Sequence, residues 1–441
     1  MNNVGQISAR LAGTTDVIVI GAGHAGLAAS FLLTKSSVSH VVFERGEVAN
    51  AWRERRWDAL KLLTPNWQTQ LPGYRYAGDD PNGFMGMAEL IALFENYAEQ
   101  SNAPVQTQTT VTSVRKDGDN YRVTTNRGEW LANAVIIASG ASNTPTVPGF
   151  ASDVPDHIEQ LTPYDYRSAA HLQPGGVLVV GASATGMQFA DELAGAGREV
   201  TIAVGEHVRM PRRYRGKDIL DWMECCGILG QRYDEVEDLS RGRRLPSSQL
   251  VGSNDKPILD LNSLSDQGVR ISGRLMGING DVAQFSGSLR NVCSLADLKM
   301  KRLLATIDET IGDNPDVPAA ETFANTRIDE SPQLVRKLDG KSIRTIIWAT
   351  GFRPDYSWLD VPVLYRKGHI QHDGGVVTSP GLYVLGLPLM RTRKSSFIFG
   401  IDDDARHISN HLIDYLQSQT RSNSHGIHQH DYSQPRYRRS A

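Results

Sequence analysis

The segment Asp16-Val-Ile-Val-Ile-Gly21-Ala-Gly23-His-Ala-Gly26 decides how this chain begins to fold. An apolar run that ends in the spacing Gly-x-Gly-x-x-Gly is typical of a buried parallel strand that turns sharply into a helix. The glycines permit the tight turn and let the backbone approach a pyrophosphate at the N-terminus of the helix. We therefore predict a dinucleotide site whose contacting residues are Gly21, Gly23, His24, Ala25 and Gly26.

A second segment, Gly176-Val-Leu-Val-Val-Gly181-Ala-Ser183-Ala-Thr-Gly186, repeats this pattern 160 residues later. Ser183 stands where a central glycine is usual, and a serine there still offers its backbone N–H to a phosphate. Each segment follows a strand-like run and precedes helix-forming sequence, so we expect one protein that binds two nucleotides. The contacts predicted at the second site are Gly181, Ser183, Ala184, Thr185 and Gly186.

Glu44 ends the apolar run that starts at Val41 and lies eighteen positions after Gly26. An acid about 20 residues beyond the glycines accepts hydrogen bonds from a ribose diol and repels a 2′-phosphate. The first site is therefore expected to take the adenosine half of FAD or NAD. An exposed acid at a strand end is the alternative interpretation of Glu44.

Arginines follow the second strand of the second unit, Glu199-Val-Thr-Ile-Ala-Val204. Guanidinium groups at this place grip a 2′-phosphate in bidentate fashion, which favours NADPH as the second nucleotide. Glu206 stands where an NAD-selecting acid would lie, so NADH stays open, and a solvated basic loop is the alternative. The residues predicted to bind the 2′-phosphate are Arg209, Arg212 and Arg213.

The composition is that of an ordinary globular protein. The chain has 441 residues, a hydrophobic fraction of 40% and a net charge of −3, and neither nucleic acid nor a membrane is expected as a partner. No apolar run approaches the ~18 residues that span a bilayer, and no signal peptide is recognisable at the N-terminus. The three cysteines are too few for a disulfide framework, so we expect the cytoplasm. No metal site is predicted, and a homodimer is left open.

The order of the motifs predicts an α/β fold with two Rossmann-like dinucleotide-binding domains, an NAD(P)-binding domain being inserted into an FAD-binding domain. Each domain is expected to contain a parallel sheet with helices and a small antiparallel meander. The predicted boundaries are 14–150 for the first part of the FAD-binding domain, 151–338 for the NAD(P)-binding domain with its helical and hairpin insertion, 339–417 for the second part of the FAD-binding domain, and 418–441 for a disordered tail.

Taken in chain order, the motifs resemble those of the class B flavin-containing monooxygenases over roughly residues 14 to 415. Besides the two glycine segments, the resemblance rests on Glu44-Arg45, Trp52-Arg53, Ala138-Ser139-Gly140, Ala349-Thr350-Gly351 and Gly386-Leu387, which are expected to contact the cofactors. It implies FAD in the first site and NADPH in the second. It also implies a small organic substrate that receives one atom of O2 through a C4a-(hydro)peroxyflavin. N- or S-oxygenation is preferred, because the Baeyer–Villiger signature that would begin at Phe150 has Ser152 in place of its glycine.

In this family, the segment that corresponds to Trp52–Gln68 passes the isoalloxazine ring of the flavin. The resemblance implies that Asn66 faces the reacting position of the flavin as the catalytic residue, and that Trp57 and Thr64 help to form the flavin site. Two alternatives stay open: Asn66 only caps its own turn, and Trp57 only packs in the core.

Three other functions also stay open. The chain could be a flavin reductase or oxidase of the same fold, a Baeyer–Villiger monooxygenase, or a redox-sensing flavoprotein without enzymatic activity that serves transport. A dithiol reductase is not expected, because Cys225 and Cys226 are adjacent and form no Cys-x-x-Cys pair.

Overall fold

The computed structural model describes residues 11–256 and 258–427, and side chains as far as residue 421. The first part of the chain forms strands and three helices. They are β1 (Leu11–Ile20), α1 (His24–Lys35), β2 (His40–Phe43), α2 (Asn50–Glu54), β3 (Gln70–Leu71), β4 (Tyr74–Arg75), α3 (Met87–Gln100), β5 (Val105–Gln106), β6 (Val111–Asp117), β7 (Asn120–Thr125), β8 (Gly128–Ile137) and β9 (Thr144–Pro145).

The middle of the chain contains the second glycine segment and the inserted region. Its elements are β10 (Glu159–Leu161), β11 (Val177–Val180), α4 (Ala184–Gly195), β12 (Val200–Val204), β13 (Arg213–Tyr214), β14 (Lys217–Asp218), α5 (Ile219–Cys225), α6 (Leu239–Gly242), α7 (Leu261–Asp266), β15 (Arg270–Gly273), β16 (Leu275–Asn279), β17 (Val282–Phe285), α8 (Leu289–Ile311), β18 (Val335–Lys337) and β19 (Thr345–Trp348). The last part of the chain adds β20 (Phe352–Arg353), β21 (His372–Asp373), β22 (Val376–Val377), β23 (Leu382–Val384) and α9 (Ile401–Ile427).

Two sheets organise these elements. The first has the order β21-β22-β23-β8-β1-β2-β5, with the antiparallel strands β6 and β7 attached to β8. The second has the order β10-β19-β11-β12-β15 and is parallel throughout. The predicted α/β class with two Rossmann-like units is confirmed. We call the part built on the first sheet the first domain (11–145 and 352–427) and the part built on the second sheet the second domain (159–348).

The strand that leads into each glycine turn is apolar where it lies in the core, over residues 17–20 of β1 and all of β11, because helices cover both faces of a parallel sheet. In β1, Val17, Ile18 and Val19 are 0% exposed, and the residues of β11 are buried in the same way. Both strands therefore end in a glycine turn at the edge of a closed core, where a ligand can approach the backbone.

The boundary between the inserted domain and the return to the first domain differs from the prediction. β19 pairs in parallel with β11, residue Trp348 lying opposite Val180, so the chain leaves the second sheet only after Trp348 and not at 338. The reason is an internal symmetry: β19 lies beside β11 as β8 lies beside β1, and each is followed by an Ala-Ser/Thr-Gly tripeptide.

Two short segments connect the domains, and they pair with each other. β9 lies in the segment that leaves the first domain and β20 in the segment that returns to it. They form an antiparallel ribbon in which Phe352 lies opposite Pro145 and Arg353 opposite Thr144.

The C-terminal helix is longer than the sequence suggested. A disordered tail was expected from residue 418, but α9 continues to Ile427. Apolar residues at helical spacing in its first turns (Ile401, Ala405, Ile408, Leu412) pack into the core and support the turns that follow. Residues 428–441 lie outside the described residues.

Candidate cofactor and active site

The first glycine segment forms the turn between β1 and α1. Gly21 has φ +108°, and a Cβ there would lie 2.6 Å from the carbonyl oxygen of Ala138. A Cβ on Gly26 would lie 1.8 Å from the carbonyl oxygen of Gly21, so α1 packs on the turn at backbone contact. Glycine is required at both positions. His24 and Ala25 consequently form the first turn of α1, whose N–H groups are available to a phosphate.

Glu44 follows β2 directly and lies beside this turn, since β2 pairs in parallel with β1. The side chain is buried, and its carboxylate accepts hydrogen bonds from the N–H groups of Ala22 at 2.9 Å and of Gly46 at 3.2 Å. These bonds hold the carboxylate at the turn and leave acceptor positions for a ribose diol. An exposed strand-end acid is therefore not what the structure shows, and the contact with ribose stays a prediction.

Two more strand ends reach the same turn. Ala138-Ser139-Gly140 follows β8, and Gly386-Leu387 comes shortly after β23, which pairs with β8. Gly386 has φ +78°, and a Cβ there would lie 2.8 Å from the Cβ of Ala25. The structure thus brings together three of the segments on which the resemblance rests.

Residues 66–69 form a run of buried polar side chains in and after the short 3₁₀ helix Asn66–Gln68. Gln68 and Thr69 are 0% exposed, yet within the described chain their side-chain amide and hydroxyl have no hydrogen-bond partner. The same holds for Oδ1 of Asn66. A buried polar group without a partner costs about 1–3 kcal/mol, so such a run is typical of residues that face a polar ligand.

Two further buried atoms at the strand ends have no partner among the described residues, Ser139 Oγ and His24 Nε2. Burial lowers the pKa of His24 to about 4, so its ring is neutral at physiological pH and offers Nε2 to a single hydrogen bond. An isoalloxazine ring and its ribityl chain carry both donors and acceptors. The unpaired atoms of His24, Ser139 and residues 66–69 therefore fit a flavin.

The second glycine segment repeats the geometry of the first. Gly181 has φ +115°, a Cβ there would lie 2.3 Å from the carbonyl oxygen of Ala349, and a Cβ on Gly186 would lie 1.9 Å from that of Gly181. Ser183 precedes α4 with φ −82° and ψ −179°, against −85° and −175° for Gly23 before α1. The serine keeps the turn because any residue adopts this extended backbone.

The other residues predicted at the second site lie around this turn. Ala184 and Thr185 form the first turn of α4, and Ala349-Thr350-Gly351 follows β19, which is adjacent to β11. The hydroxyl of Thr350 donates a hydrogen bond to the carbonyl of Thr146 in the other connecting segment. The second site is therefore assembled at the point where the two connections meet.

Arg209 does not have the position that was predicted for it. Its guanidinium is 3% exposed and donates to Asp260 at 3.0 Å, to Asp297 at 2.6 Å and to the carbonyl of Ala324 at 2.9 Å. The two carboxylates come from the N-terminus of α7 and from α8, so the arginine neutralises a buried acidic pair between helices. The predicted contact with a 2′-phosphate is corrected accordingly.

Arg212 is also buried, with 1% of its side chain exposed. It donates to Asp218 at 2.7 Å and to the carbonyl of Leu63 at 2.7 Å, so it ties the second domain to the segment that leads into Asn66. Its Nε has no partner among the described residues, and its predicted contact with a 2′-phosphate stays a prediction. Arg213 is exposed in β13 and its predicted role stays a prediction.

A different set of basic side chains surrounds the end of β12. The carboxylate of Glu206 lies 3.2 Å from Nζ of Lys299 and 3.6 Å from the guanidinium of Arg241, and the side chain of Arg274 lies 3.9 Å from the Cβ position of Gly205. No motif points to these residues, because they come from α8, from α6 and from the turn between β15 and β16, far along the chain from the glycine segment.

Trp57 follows Glu44 in the segment that was expected to pass the flavin. It is 6% exposed and packs edge-on against Phe189 of α4, with 4.8 Å between the ring centroids. It therefore packs in the core of the second domain, and its predicted contact with the flavin stays a prediction. Arg45 is exposed, and Arg53 is an exposed partner of Glu95.

Trp52 and Thr64 are half-buried at either end of this segment. The guanidinium of Arg56 lies over the indole ring of Trp52, 4.9 Å from its centroid. Their predicted contacts with the flavin stay predictions.

A cavity of about 390 Å³ opens beside Asn66 between the β3–β4 hairpin and α3. Tyr74, Tyr76, Leu93 and Tyr97 contribute its aromatic and aliphatic lining. A cavity of this size and composition suits a small organic molecule. The amide nitrogen of Asn66 donates to the carbonyl of Asp80 at 2.9 Å, which fixes the plane of the amide at the wall.

All three cysteines are free, so the described residues contain no disulfide. Over the same ranges, no helix is long and apolar enough to cross a bilayer, and no group of three or more His, Cys, Asp or Glu side chains is arranged to hold a metal ion.

Two Rossmann-type sheets that each end in a glycine turn are typical of flavoprotein oxidoreductases with two dinucleotide sites. A family model described as pyridine nucleotide-disulphide oxidoreductase matches residues 18–221. The uncharacterized oxidoreductase CzcO-like of Geobacillus kaustophilus is 32% identical over 406 residues, which cover 91% of this chain and 99% of that protein.

Two further proteins extend the comparison. The probable indole-3-pyruvate monooxygenase YUCCA3 of Arabidopsis thaliana is 25% identical over 438 residues, covering 92% of this chain and 88% of that protein. The structure of a flavin-containing monooxygenase from Stenotrophomonas maltophilia shares the fold with a TM-score of 0.65 at 21% identity, covering 92% of this chain and 99% of that chain. The chain belongs to the family of the CzcO-like oxidoreductases, and it shares its fold with a flavin-containing monooxygenase.

Proposed function

We propose that this chain is an FAD- and NADPH-dependent monooxygenase that transfers one atom of O2 to a nitrogen or sulfur atom of a small organic substrate. The observation that carries the proposal is the run of unpaired polar groups at residues 66–69, which lies next to the cavity beside Asn66. One segment thereby joins a candidate flavin site to a candidate substrate site. The bound flavin would supply the redox chemistry, taking hydride from NADPH and activating O2.

The residues of this segment would bind and orient the flavin. Gln68 and Thr69 offer both donors and acceptors in a region that solvent does not reach, and the amide of Asn66 is held in place by Asp80. Water exclusion matters because a water molecule at the reacting position would divert activated oxygen to hydrogen peroxide. We assign Asn66 as the catalytic residue, since it is both part of the unpaired run and part of the cavity wall.

The cavity favours an aromatic or aliphatic substrate with one polar heteroatom. Three tyrosines, Tyr74, Tyr76 and Tyr97, contribute to its lining, and the faces of their rings attract apolar groups and cations alike. Glu89 also lines the cavity, which suits a basic amine as the substrate.

NADPH is the proposed electron donor because of the charges at the end of β12. Glu206, the acid that would select NAD, is already paired with Lys299 and Arg241, and Arg274 adds a third cation. A 2′-phosphate would complete this cluster with charge-assisted hydrogen bonds. Arg274→Gln is expected to raise the KM for NADPH about tenfold and leave the KM for NADH unchanged, since one such bond is worth about 1.5–3 kcal/mol. An equal effect on both nucleotides would argue against NADPH selection at this place.

The test of the proposed function is stopped-flow spectroscopy of the NADPH-reduced protein mixed with oxygenated buffer. We expect a long-lived species that absorbs in the near ultraviolet, between the oxidised and the reduced flavin, and that decays faster when an amine or thioether substrate is added. Asn66→Ala should shorten its lifetime. Asn96→Ala, on the α3 wall of the same cavity, should change substrate affinity only. Direct return to oxidised flavin with release of hydrogen peroxide, with and without candidate substrates, would instead indicate a reductase or oxidase.

A further inference from the structure

The chain that leads to Asn66 leaves the first domain and returns to it. Arg53 pairs with Glu95 of α3 in the first domain, and the N–H of Leu62 donates to the carbonyl of Met85 in the same domain at 2.9 Å. Between these two points the second domain holds the chain through hydrogen bonds and through its core. We call residues 54–61 the crossing segment.

Arg167 holds the backbone of the crossing segment. This half-buried arginine follows β10 in the second domain, and its guanidinium donates to the carbonyls of Arg56 and Glu54, each at 2.7 Å. The N–H of Asp58 donates in turn to the carbonyl of Arg167 at 3.0 Å. One residue of the second domain thereby fixes the backbone of the crossing segment at three places.

Trp57 lies in the middle of the crossing segment and packs in the core of the second domain. Its ring contacts Phe189, which packs in turn on Tyr166 with 4.4 Å between the ring centroids. The hydroxyl of Tyr166 donates to the carboxylate of Glu192 at 2.9 Å. Because Phe189 and Glu192 both belong to α4, these contacts fix Trp57 to that helix.

The helix α4 is also the one that begins at the second glycine turn. A phosphate at this turn would contact the N–H groups around Ala184, the first residue of α4. Phe189 lies five residues further along, which is about 7.5 Å along the helix axis. Close-packed interiors have low compressibility and transmit strain. A phosphate that fixes or shifts the start of α4 therefore also fixes or shifts Trp57.

The other end of the crossing segment leads directly to the residues that are predicted to face the flavin. Lys61 pairs with Gly86 in an antiparallel bridge, and the N–H of Asn66 donates to the carbonyl of Gly83 at 2.9 Å. Eight residues lie between Trp57 and Asn66. The segment that carries Asn66 is thus attached to α4 on one side and to the first domain on the other.

We propose that Trp57 and Arg167 anchor the chain before Asn66 to the second domain, so that a nucleotide bound at the second glycine turn alters the surroundings of the flavin through the protein. This coupling rests on the proposed function, because it takes the flavin to lie against residues 66–69 and a nucleotide to lie at the start of α4. In this role Trp57 and Arg167 are positioning residues, which act on the flavin through residues 66–69.

The test uses 2′,5′-ADP as the probe and the visible absorption spectrum of the bound flavin as the readout. This ligand is the adenosine half of NADP⁺ and has no nicotinamide ring, so from the second site it acts on the isoalloxazine ring only through the protein. The full-length protein with bound FAD is titrated with 2′,5′-ADP, and the Kd is measured in parallel by isothermal titration calorimetry. We expect a flavin difference spectrum that saturates at one ligand per chain. If 2′,5′-ADP does not bind, 5′-ADP, the corresponding half of NAD⁺, takes its place.

Arg167→Met and Trp57→Phe should each lose most of the amplitude of this difference spectrum at saturation. The Kd of the ligand should stay within about threefold of the wild type, because neither residue lies at the glycine turn. A general loss of structure would instead weaken binding together with the amplitude. Arg167 is half-buried and its aliphatic stem is kept in methionine, so this variant is expected to fold.

Arg198→Met is the matched control. Arg198 is a half-buried arginine of the second domain that also donates to two backbone carbonyls, those of Leu172 and Gln173, but both lie within its own domain. It should keep the full difference spectrum. Wild-type amplitude in both Arg167→Met and Trp57→Phe would overturn the proposed coupling, as would a ligand that binds the wild type without any change in the flavin spectrum. If the wild type binds neither 2′,5′-ADP nor 5′-ADP, the proposed use of a nicotinamide nucleotide fails and the coupling fails with it.

Discussion

Replacing Arg209 by methionine tests whether this arginine stabilises the second domain through its buried ion pairs or binds the nucleotide. The substitution removes the positive charge that neutralises Asp260 and Asp297, both of which are less than a tenth exposed. Breaking a buried ion pair by removing one partner costs about 3–5 kcal/mol. For a domain of 150–250 residues this corresponds to a fall in Tm of about 6–20 °C, at roughly 2–4 °C per kcal/mol.

The assay is the thermal unfolding of the FAD-loaded protein, followed by steady-state kinetics well below the transition. Arg213→Met is the matched control, since Arg213 is exposed and lies four positions further along the chain. Its Tm should stay within about 1 °C of the wild type, because surface substitutions usually change stability by less than 0.5 kcal/mol. The KM for NADPH should be the same in Arg209→Met and in the wild type.

The opposite pattern would refute this reasoning. If Arg209→Met melts with the wild type but raises the KM for NADPH about tenfold and spares NADH, the arginine contacts the 2′-phosphate and its buried pairing is wrong.

Three further outcomes are expected. Gly26→Ala should abolish FAD retention, because the Cβ of the alanine would overlap the carbonyl oxygen of Gly21. The loss is measured as flavin absorbance of the purified protein, and a flavin content equal to that of the wild type would contradict the close packing of α1 on the turn. Ser183→Gly should change the KM for NADPH by less than about threefold, equal to about 0.65 kcal/mol, since serine and glycine both adopt the extended backbone conformation found at this position. A larger change would mean that the hydroxyl group of Ser183 contacts the nucleotide. Burial raises the pKa of Asp404 to about 6, so the contribution of this carboxyl group to the stability of the protein falls as the pH rises from about 4 to 6. In urea unfolding, Asp404→Asn should be more stable than the wild type by up to about 3 kcal/mol at pH 8 and equal to it at pH 4. Equal stability of the two proteins at both pH values would show that the pKa of Asp404 is not raised.

The parts of the fold that could be predicted from the sequence are those set by local backbone chemistry. A glycine spacing such as that of Gly21, Gly23 and Gly26, which recurs from residue 181, specifies a strand, a turn and a helix. The ribose-binding role of Glu44 was predicted from its distance of eighteen residues from Gly26. The dipeptide Asn-Gly favours tight hairpin turns, and Asn279-Gly280 stands where β16 leads into β17.

The parts that could not be predicted depend on partners distant in sequence. Arg209 looked like a phosphate ligand because its partners Asp260 and Asp297 lie 51 and 88 residues away and carry no motif. The packing of Trp57 against α4 could not be predicted either, because it is not encoded locally. In the sequence alone, an arginine that forms a buried ion pair cannot be distinguished from an arginine that binds a ligand.

The ribbon formed by β9 and β20 has a mechanical consequence for how the two domains move. A single peptide connection would act as a swivel, free to rotate about many axes. Two antiparallel strands joined side by side bend easily out of their common plane but resist shear and twist, because those motions break the hydrogen bonds between them. The paired strands therefore limit rotation of one domain against the other, because such a rotation would break the pairing of Phe352 with Pro145 and of Arg353 with Thr144.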